Sequence, residues 1–277
     1  MRLNNIPFRK TRGGLLSASI LLTGLAVASN ASATQIMVQV DNLAPDQGAT
    51  LTPLWSGFHG GDFDLFDFGD PASEALERLA EDGDTGPAMD AFAATTPNGV
   101  QGTLPAAIGP GESLSMGFLL NDSEAQRYFS YAAMVVPSND AFISNDDPKA
   151  YSIFDDEGKF TGTDFVVKGS DVWDAGTEVN SEVPEETALL GQTVPDTGTD
   201  ENGVVEPHPG LMEPGDGGIV DDPRFTNADF SSEGYELARI TVSEREPVSV
   251  SEPSTLALLV GGFLAAFLGA RRKRKPA

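Results

Sequence analysis

Short runs of β-branched and aromatic residues, separated by Gly and Asx turns, constrain the fold of this sequence more than any other feature. Residues 35–40 (QIMVQV), 51–58 (LTPLWSGF) and 111–120 (GESLSMGFLL) each have the length and composition of a strand. Residues 127–136 (RYFSYAAMVV) lack a polar face, so we expect this strand to be central in its sheet. With a closing strand at residues 238–242, the pattern predicts an all-β fold, an antiparallel β-sandwich.

The segments between these strands predict one short helix and long acidic loops. Residues 71–80 place their apolar side chains on one face, with Asp70 or Ser73 as the candidate N-cap. Residues 149–167 predict a strand, a tight turn at residues 155–158 and a second strand. Residues 182–223 are rich in proline, glycine and acidic residues and have no sustained period. We therefore expect a long loop there and not a second domain.

The first part of the chain has the layout of a secretory signal peptide. Four basic residues lie within the first 12 positions, and an apolar segment at residues 15–27 follows them. The small residues Ala31, Ser32 and Ala33 come next. A basic region, a short apolar core and a small-residue site are typical of a cleaved export signal. The sequence therefore predicts a signal peptide at residues 1–33, cleaved between Ala33 and Thr34.

The last part of the chain has the layout of a membrane-directed sorting signal. Residues 255–270 (TLALLVGGFLAAFLGA) carry no charge, and five basic residues follow them at positions 271–275. Such a run is near the lower limit for spanning a hydrocarbon core. The adjacent cations are expected to stay on the cytoplasmic side, which leaves the rest of the chain outside.

Glu252, Pro253 and Ser254 precede this apolar run. The three parts together resemble the PEP-CTERM sorting signal of Gram-negative bacteria. The resemblance implies transient insertion of the C-terminal helix into the inner membrane and cleavage near Glu252 and Pro253 by an exosortase-type protease. The protein would then reach the cell surface or the extracellular matrix. The alternative is an ordinary tail anchor that is never cleaved.

The charge of the remaining chain excludes several function classes. Residues 34–270 contain eight basic residues and all 42 acidic ones, which gives a formal charge of −34. A chain with this charge is not expected to bind nucleic acid, because phosphates need cationic partners. Its charge favours the binding of divalent cations. The absence of cysteine excludes disulfides, thiolate nucleophiles and cysteine-based metal sites. Residues 34–246 are enough for one domain with a buried core, followed by the sorting signal at residues 247–277.

Carboxylates cluster in three segments that a sandwich would bring to its loops. They lie at residues 137–140, at residues 171–178 and in the acidic loop around Asp62, Asp64 and Asp67. Calcium takes six to eight oxygen ligands, and acidic loops supply them together with backbone carbonyls and water. The pattern is compatible with a calcium site, but solvated acidic loops are the commoner cause of such a pattern, and the spacing alone leaves both interpretations open.

Six short motifs occur between residues 59 and 210. They are His59-Gly60-Gly61 with Phe63-Asp64, Ala80-Glu-Asp-Gly83, Met134-Val-Val-Pro-Ser-Asn-Asp140, Trp173-Asp-Ala-Gly-Thr-Glu178, Gly198-Thr-Asp-Glu-Asn-Gly-Val-Val205 and Pro207-His-Pro-Gly210. The set resembles the spondin N-terminal domain family, over about residues 36–242. The resemblance implies a β-sandwich similar to calcium-dependent lipid-binding domains. It also implies a metal site formed by Asp140, Asp174 and Glu178.

These observations together predict an exported bacterial binding module of the cell surface or extracellular matrix, stabilised by calcium. Its partner would be an extracellular polysaccharide or a surface protein, and we do not expect an enzyme. One alternative is a secreted hydrolase that uses carboxylates such as Asp62, Asp64 and Glu81. Another is a passive structural component of a biofilm. The two histidines, His59 and His208, lack a catalytic or zinc motif, so we interpret them as structural groups bonded to loop backbone.

Overall fold

Residues 33–245 are described by the computed structural model. The predicted signal peptide, apart from Ala33, and the predicted sorting signal lie outside these residues. The described strands are β1 (Thr34–Asn42), β2 (Thr50–Leu51), β3 (Trp55–His59), β4 (Val100–Thr103), β5 (Ser113–Leu120), β6 (Tyr128–Val136), β7 (Ala141–Ser144), β8 (Tyr151–Ser152), β9 (Thr163–Lys168), β10 (Trp173–Asp174), β11 (Glu206–Pro207) and β12 (Glu236–Glu244). The described helices are α1 (Glu74–Asp82) and α2 (Gly86–Thr95), with 3-10 turns at Gly169–Asp171 and Ile219–Asp221.

The first sheet has four antiparallel strands in the order β5, β1, β12, β9. Strand β1 pairs with β5 on one side and with β12 on the other, so the two ends of the described chain meet at the centre of this sheet. Ile36, Val38 and Val40 are fully buried, whereas the residues between them lie on the outer face. The alternation that predicts this strand therefore also marks the face that packs on the second sheet.

The second sheet has eight strands, and β6 lies at its centre. Strand β6 pairs with β3 and β7 along its length and with the short strands β2 and β8 at its ends. Phe129 and Ala133 pack in the core between the sheets, whereas Ala132 packs in a second cluster that includes residues of both helices. Both faces of β6 are thus covered, which confirms the predicted central strand without a polar face.

The fold is mostly β, with two antiparallel sheets packed together and two short helices. The prediction of a sandwich is confirmed, whereas the prediction of one helix misses α2. Helix α1 begins after Ser73, whose hydroxyl accepts a hydrogen bond from the Leu76 N–H at 3.3 Å, and ends at Gly83 in the left-handed conformation. Neither helix within residues 33–245 has the length and apolar content needed to cross a membrane.

Two predicted strand segments differ from the observed ones. Residues 51–58 form two strands, because Pro53 has no N–H to donate and interrupts the ladder between β2 and β3. The tight turn at residues 155–158 is present and is closed by an antiparallel bridge between Phe154 and Phe160, but β8 and β9 do not pair with each other. Strand β8 pairs with β6 in one sheet and β9 pairs with β12 in the other, so this turn carries the chain from one layer to the other.

The long segment at residues 182–223 is irregular, as predicted, yet it has internal anchors. Ile219 packs with Phe225 and Ala228 in a small apolar cluster. Glu182 is buried, and its carboxylate accepts hydrogen bonds from the N–H groups of Met212 at 2.5 Å and Ile219 at 2.7 Å. Both oxygens of this carboxylate therefore have a hydrogen-bond donor within the segment.

Candidate metal centre

Asp140 is the most deeply buried acid of the candidate site, with no exposed surface. It lies just before β7, in the turn that follows β6. Its Oδ2 accepts hydrogen bonds from the Thr177 N–H at 2.8 Å, the Thr177 hydroxyl at 3.1 Å and the Glu178 N–H at 3.1 Å. Its Oδ1 is buried and has no hydrogen-bond partner. One oxygen of Asp140 thus holds the following loop, and the other is available to a ligand.

Asp174 lies beside this residue because β10 pairs with β7, in a register that places Asp174 opposite Ala141. Its Oδ1 accepts from the Gly176 N–H at 2.7 Å, and its Oδ2 accepts from the Asn180 amide at 2.5 Å. Both oxygens therefore have partners already. Asp174 orders the turn after β10, and its negative charge contributes to the raised pKa of the neighbouring Asp140.

Glu178 turns away from Asp174 toward the long segment. Its side chain is buried, Oε1 accepts from the Gly198 N–H at 2.8 Å, and Oε2 is buried with no hydrogen-bond partner. A Cβ added to Gly198 would lie 2.1 Å from the Glu178 Cδ. The backbone at Gly198 thus packs directly on this carboxylate, and any larger residue there would displace it.

A cluster of three carboxylates forms where Glu178 meets Glu81 and Asp196. One potential ligand atom from each residue lies within 4.8 Å of those of the other two, so the cluster could hold a metal ion. Glu81 comes from α1, Glu178 from the loop after β10 and Asp196 from the long segment. Among the described residues, the only cation paired with this cluster is Arg78, at 2.7 Å from Glu81 and 3.6 Å from Asp196.

Burial of these acids opposes their ionisation. It raises the pKa of Asp140 to about 7, and the charge of Asp174 adds to this shift. Burial also raises the pKa of Glu178 to about 7, with a further contribution from the charge of Asp140. The pKa of Glu81 is raised to about 7 by burial, with a further contribution from Glu178. A cation at this site would favour the ionised forms that burial alone disfavours.

A cleft of about 380 Å³ reaches the cluster from solvent. Glu77, Glu81, Asp196 and Asp200 line it together with Thr177. The cleft gives a cation a path to the carboxylates and leaves room for water molecules. Because its walls carry four acids, it attracts positive charge.

The predicted metal ligands are therefore divided between two adjoining groups. Asp140, just before β7, lies beside Asp174 on β10, and Glu178 belongs to the cluster with Glu81 and Asp196. The sequence suggested Glu81 only as a hydrolase carboxylate, and it does not predict Asp196. That residue lies in a segment without periodic pattern, and its position depends on contacts that are distant in sequence.

The carboxylates suggested for a hydrolase have different neighbours. Burial raises the pKa of Asp64 to about 6, and the charges of Asp67 and Asp146 add to this shift. The pKa of Glu81 is raised by burial and by the charge of a different neighbour, Glu178. Among the described residues, no hydrogen bond joins Asp62, Asp64 or Glu81 to one another.

Both histidines are bonded to loop backbone, which confirms their structural interpretation. Nδ1 of His59 accepts from the Gly61 N–H at 3.0 Å, and Nδ1 of His208 accepts from the Gly210 N–H at 3.0 Å. Nε2 of His59 therefore carries the proton and donates to the Ser130 hydroxyl at 2.9 Å. Burial lowers the pKa of both histidines to about 4.

His59 is expected to make the fold less stable in mild acid. The unfolded chain takes up a proton at His59 near pH 6.5, whereas the folded chain does so only near pH 4, so stability falls as the pH decreases through this window. Between pH 7 and pH 5, His59 alone lowers the free energy of unfolding by about 2 kcal/mol, and the buried acids with raised pKa values act in the opposite direction in both proteins compared below. His59→Asn keeps an acceptor for the Gly61 N–H and cannot be protonated. Urea unfolding at the two pH values should show a smaller loss in this variant. Equal losses would contradict the assignment.

This chain was compared with protein-family models and with curated proteins, and neither comparison finds a relative. The resemblances to the spondin N-terminal domain and to the PEP-CTERM signal rest on the motifs quoted above.

Proposed function

We propose that this protein is an exported binding module of the bacterial cell surface or extracellular matrix, stabilised by calcium. The observation that carries the proposal is a pair of buried carboxylate oxygens without hydrogen-bond partners, Oδ1 of Asp140 and Oε2 of Glu178. Burying a carboxylate oxygen without a partner is unfavourable, and a bound cation would remove that cost.

The chemistry of the donors favours calcium. The candidate ligands are Asp140, Asp174 and Glu178, with Glu81 and Asp196 beside them, and all of them offer oxygen. Zinc sites use histidine or cysteine in most cases. Calcium accepts irregular oxygen sets completed by water, whereas magnesium demands near-ideal octahedral geometry. Bound calcium would neutralise the acids and hold the loops of this end of the sandwich together.

The predicted export signals support a location outside the cytoplasm. The predicted signal peptide would direct translocation. The apolar helix and basic end would then hold the chain transiently in the inner membrane until an exosortase-type enzyme cleaves near Glu252 and Pro253. An extracellular polysaccharide or a surface protein is the proposed partner, and the acidic surface disfavours nucleic acid.

Mass spectrometry of the native protein, with the cell fraction recorded, tests the location. We expect a first residue of Thr34, a C-terminus close to Glu252, and recovery from the surface or matrix fraction. Binding of this material to isolated exopolysaccharide and to cell envelopes should be retained in calcium and lost in EGTA. A chain with an intact C-terminus in the inner membrane would contradict the sorting. Polysaccharide cleavage that Glu81→Gln abolishes would instead support the hydrolase.

A further inference from the structure

Residues 191–204 lack an apolar anchor, because none of their side chains is buried in the described structure. Three backbone hydrogen bonds hold this segment along residues 176–179. The Val179 N–H donates to the Thr199 carbonyl at 2.8 Å, the Glu201 N–H donates to the Thr177 carbonyl at 2.9 Å, and the Gly203 N–H donates to the Gly176 carbonyl at 2.7 Å. A segment with so little buried apolar surface is expected to open easily.

The same segment carries Asp196 into the carboxylate cluster with Glu81 and Glu178. These like charges repel one another and favour an open segment. Arg78 opposes this repulsion weakly, because its closest approach to Asp196 is 3.6 Å and the Asp196 side chain is 68% exposed. Among the described residues, the polar contacts between the segment and α1 are this weak ion pair and a long hydrogen bond from the Asp196 N–H to Oδ1 of Asp82, at 3.3 Å.

We propose that Glu81, Glu178 and Asp196 bind one divalent cation, which fastens residues 191–204 to α1 and to residues 176–179. The inference rests on the calcium binding proposed above and adds two ligands, Glu81 and Asp196, that the predicted set lacks. Glu178 is 2% exposed and has a buried Oε2 without a partner. This unpartnered oxygen points to a ligand independently of the cluster itself.

The spacing of the three carboxylates fits such an ion. Oxygens that bind calcium at 2.3–2.6 Å lie at most about 5 Å apart across the ion, and the three candidate atoms lie within 4.8 Å of one another. Water in the cleft supplies the remaining ligands. Since the ion joins a helix, a loop and the long segment, its removal releases the segment, whereas the sheets keep their own pairing.

We call the proposed cation-bound cluster of Glu81, Glu178 and Asp196 the clasp. Hydrogen–deuterium exchange of the purified full chain, with calcium chloride or EGTA added, tests it. In the wild type we expect calcium to slow amide exchange in residues 191–204 at least tenfold, with no comparable change in β1 or β12. Glu81→Gln and Asp196→Asn should lose this protection. Glu77→Gln is the matched control, because Glu77 lies on the same helix and lines the cleft but is outside the cluster.

The outcomes separate this inference from the proposed function. If calcium raises the melting temperature but residues 191–204 exchange equally fast with and without it, the clasp is wrong and calcium binds elsewhere. Protection that persists in both Glu81→Gln and Asp196→Asn also overturns the clasp. If calcium changes neither exchange nor melting temperature, the proposed calcium binding fails together with the clasp. Asp196 is exposed, so its variant is not expected to disturb folding.

Discussion

Asp140→Ala is expected to destabilise the protein by about 3–5 kcal/mol, whereas Asp140→Asn is expected to fold normally and lose the response to calcium. The alanine variant leaves the buried N–H of Glu178 and the partly buried N–H of Thr177 without their acceptor. Each buried donor without a partner costs about 1–3 kcal/mol. The loop after β10 would lose the contacts that fix it to the start of β7.

The asparagine variant separates the two roles of Asp140. Its amide oxygen can accept from both N–H groups, but it removes the charge and places an amide where a cation would bind. Burial raises the pKa of Asp140 to about 7, so in the metal-free protein ionisation between about pH 4 and pH 7 opposes folding. Without calcium, Asp140→Asn should therefore be at least as stable as the wild type at pH 7.5.

Urea unfolding of the wild type and both variants, in EGTA and in calcium, measures these effects. Asp156→Asn is the control for a lost negative charge, because its side chain is 93% exposed and distant from the cluster. An Asp140→Asn variant as unstable as Asp140→Ala would show that the charge itself is needed for the fold. Calcium stabilisation that persists in Asp140→Asn would remove Asp140 from the site.

Local patterns predict the strands because one face of each sheet is buried. The alternation in residues 35–40 matches the buried Ile36, Val38 and Val40 of β1. The unbroken apolar run in residues 127–136 matches β6, which is covered on both faces. In both strands the pattern of apolar residues follows directly from which faces are buried, so the sequence is sufficient to predict the strand and its buried faces.

Helix α2 could not be predicted in the same way. Its sequence (GPAMDAFAAT) is apolar on most sides and begins with Gly-Pro, so it has no clear amphipathic face. Phe92 nevertheless packs against Trp55 with ring centroids 5.4 Å apart. Burial of this aromatic against β3 is a tertiary effect that single-sequence periodicity does not register.

The candidate site shows the same limit. Asp140 and Asp174 come together because β7 and β10 pair, and short motifs around both residues suggest their role. Asp196 reaches Glu81 because backbone hydrogen bonds place residues 199–203 along residues 176–179 and the Asp196 N–H donates to Asp82 on α1. Those bonds join segments about 20 residues apart without a regular pattern, so the sequence carries no signal for this third carboxylate.

Calcium binding should produce the largest change in stability available to the intact protein. A ligand at about 1,000 times its dissociation constant stabilises the folded state by about 4 kcal/mol. For a domain of this size each kcal/mol raises the melting temperature by about 2–4 °C, so we expect a rise of roughly 10 °C in saturating calcium. Magnesium should give a smaller rise, because irregular carboxylate sets suit its octahedral coordination less well.

The melting temperature of the full chain, measured in calcium and in potassium chloride of equal ionic strength after treatment with EGTA, tests the proposed metal centre most directly. The salt control is necessary because screening alone stabilises so acidic a chain. The metal centre predicts a rise of roughly 10 °C in calcium beyond that in potassium chloride. Asp140→Asn should remove most of this rise and Asp156→Asn should keep it. Equal melting temperatures in the two salts would contradict the calcium site.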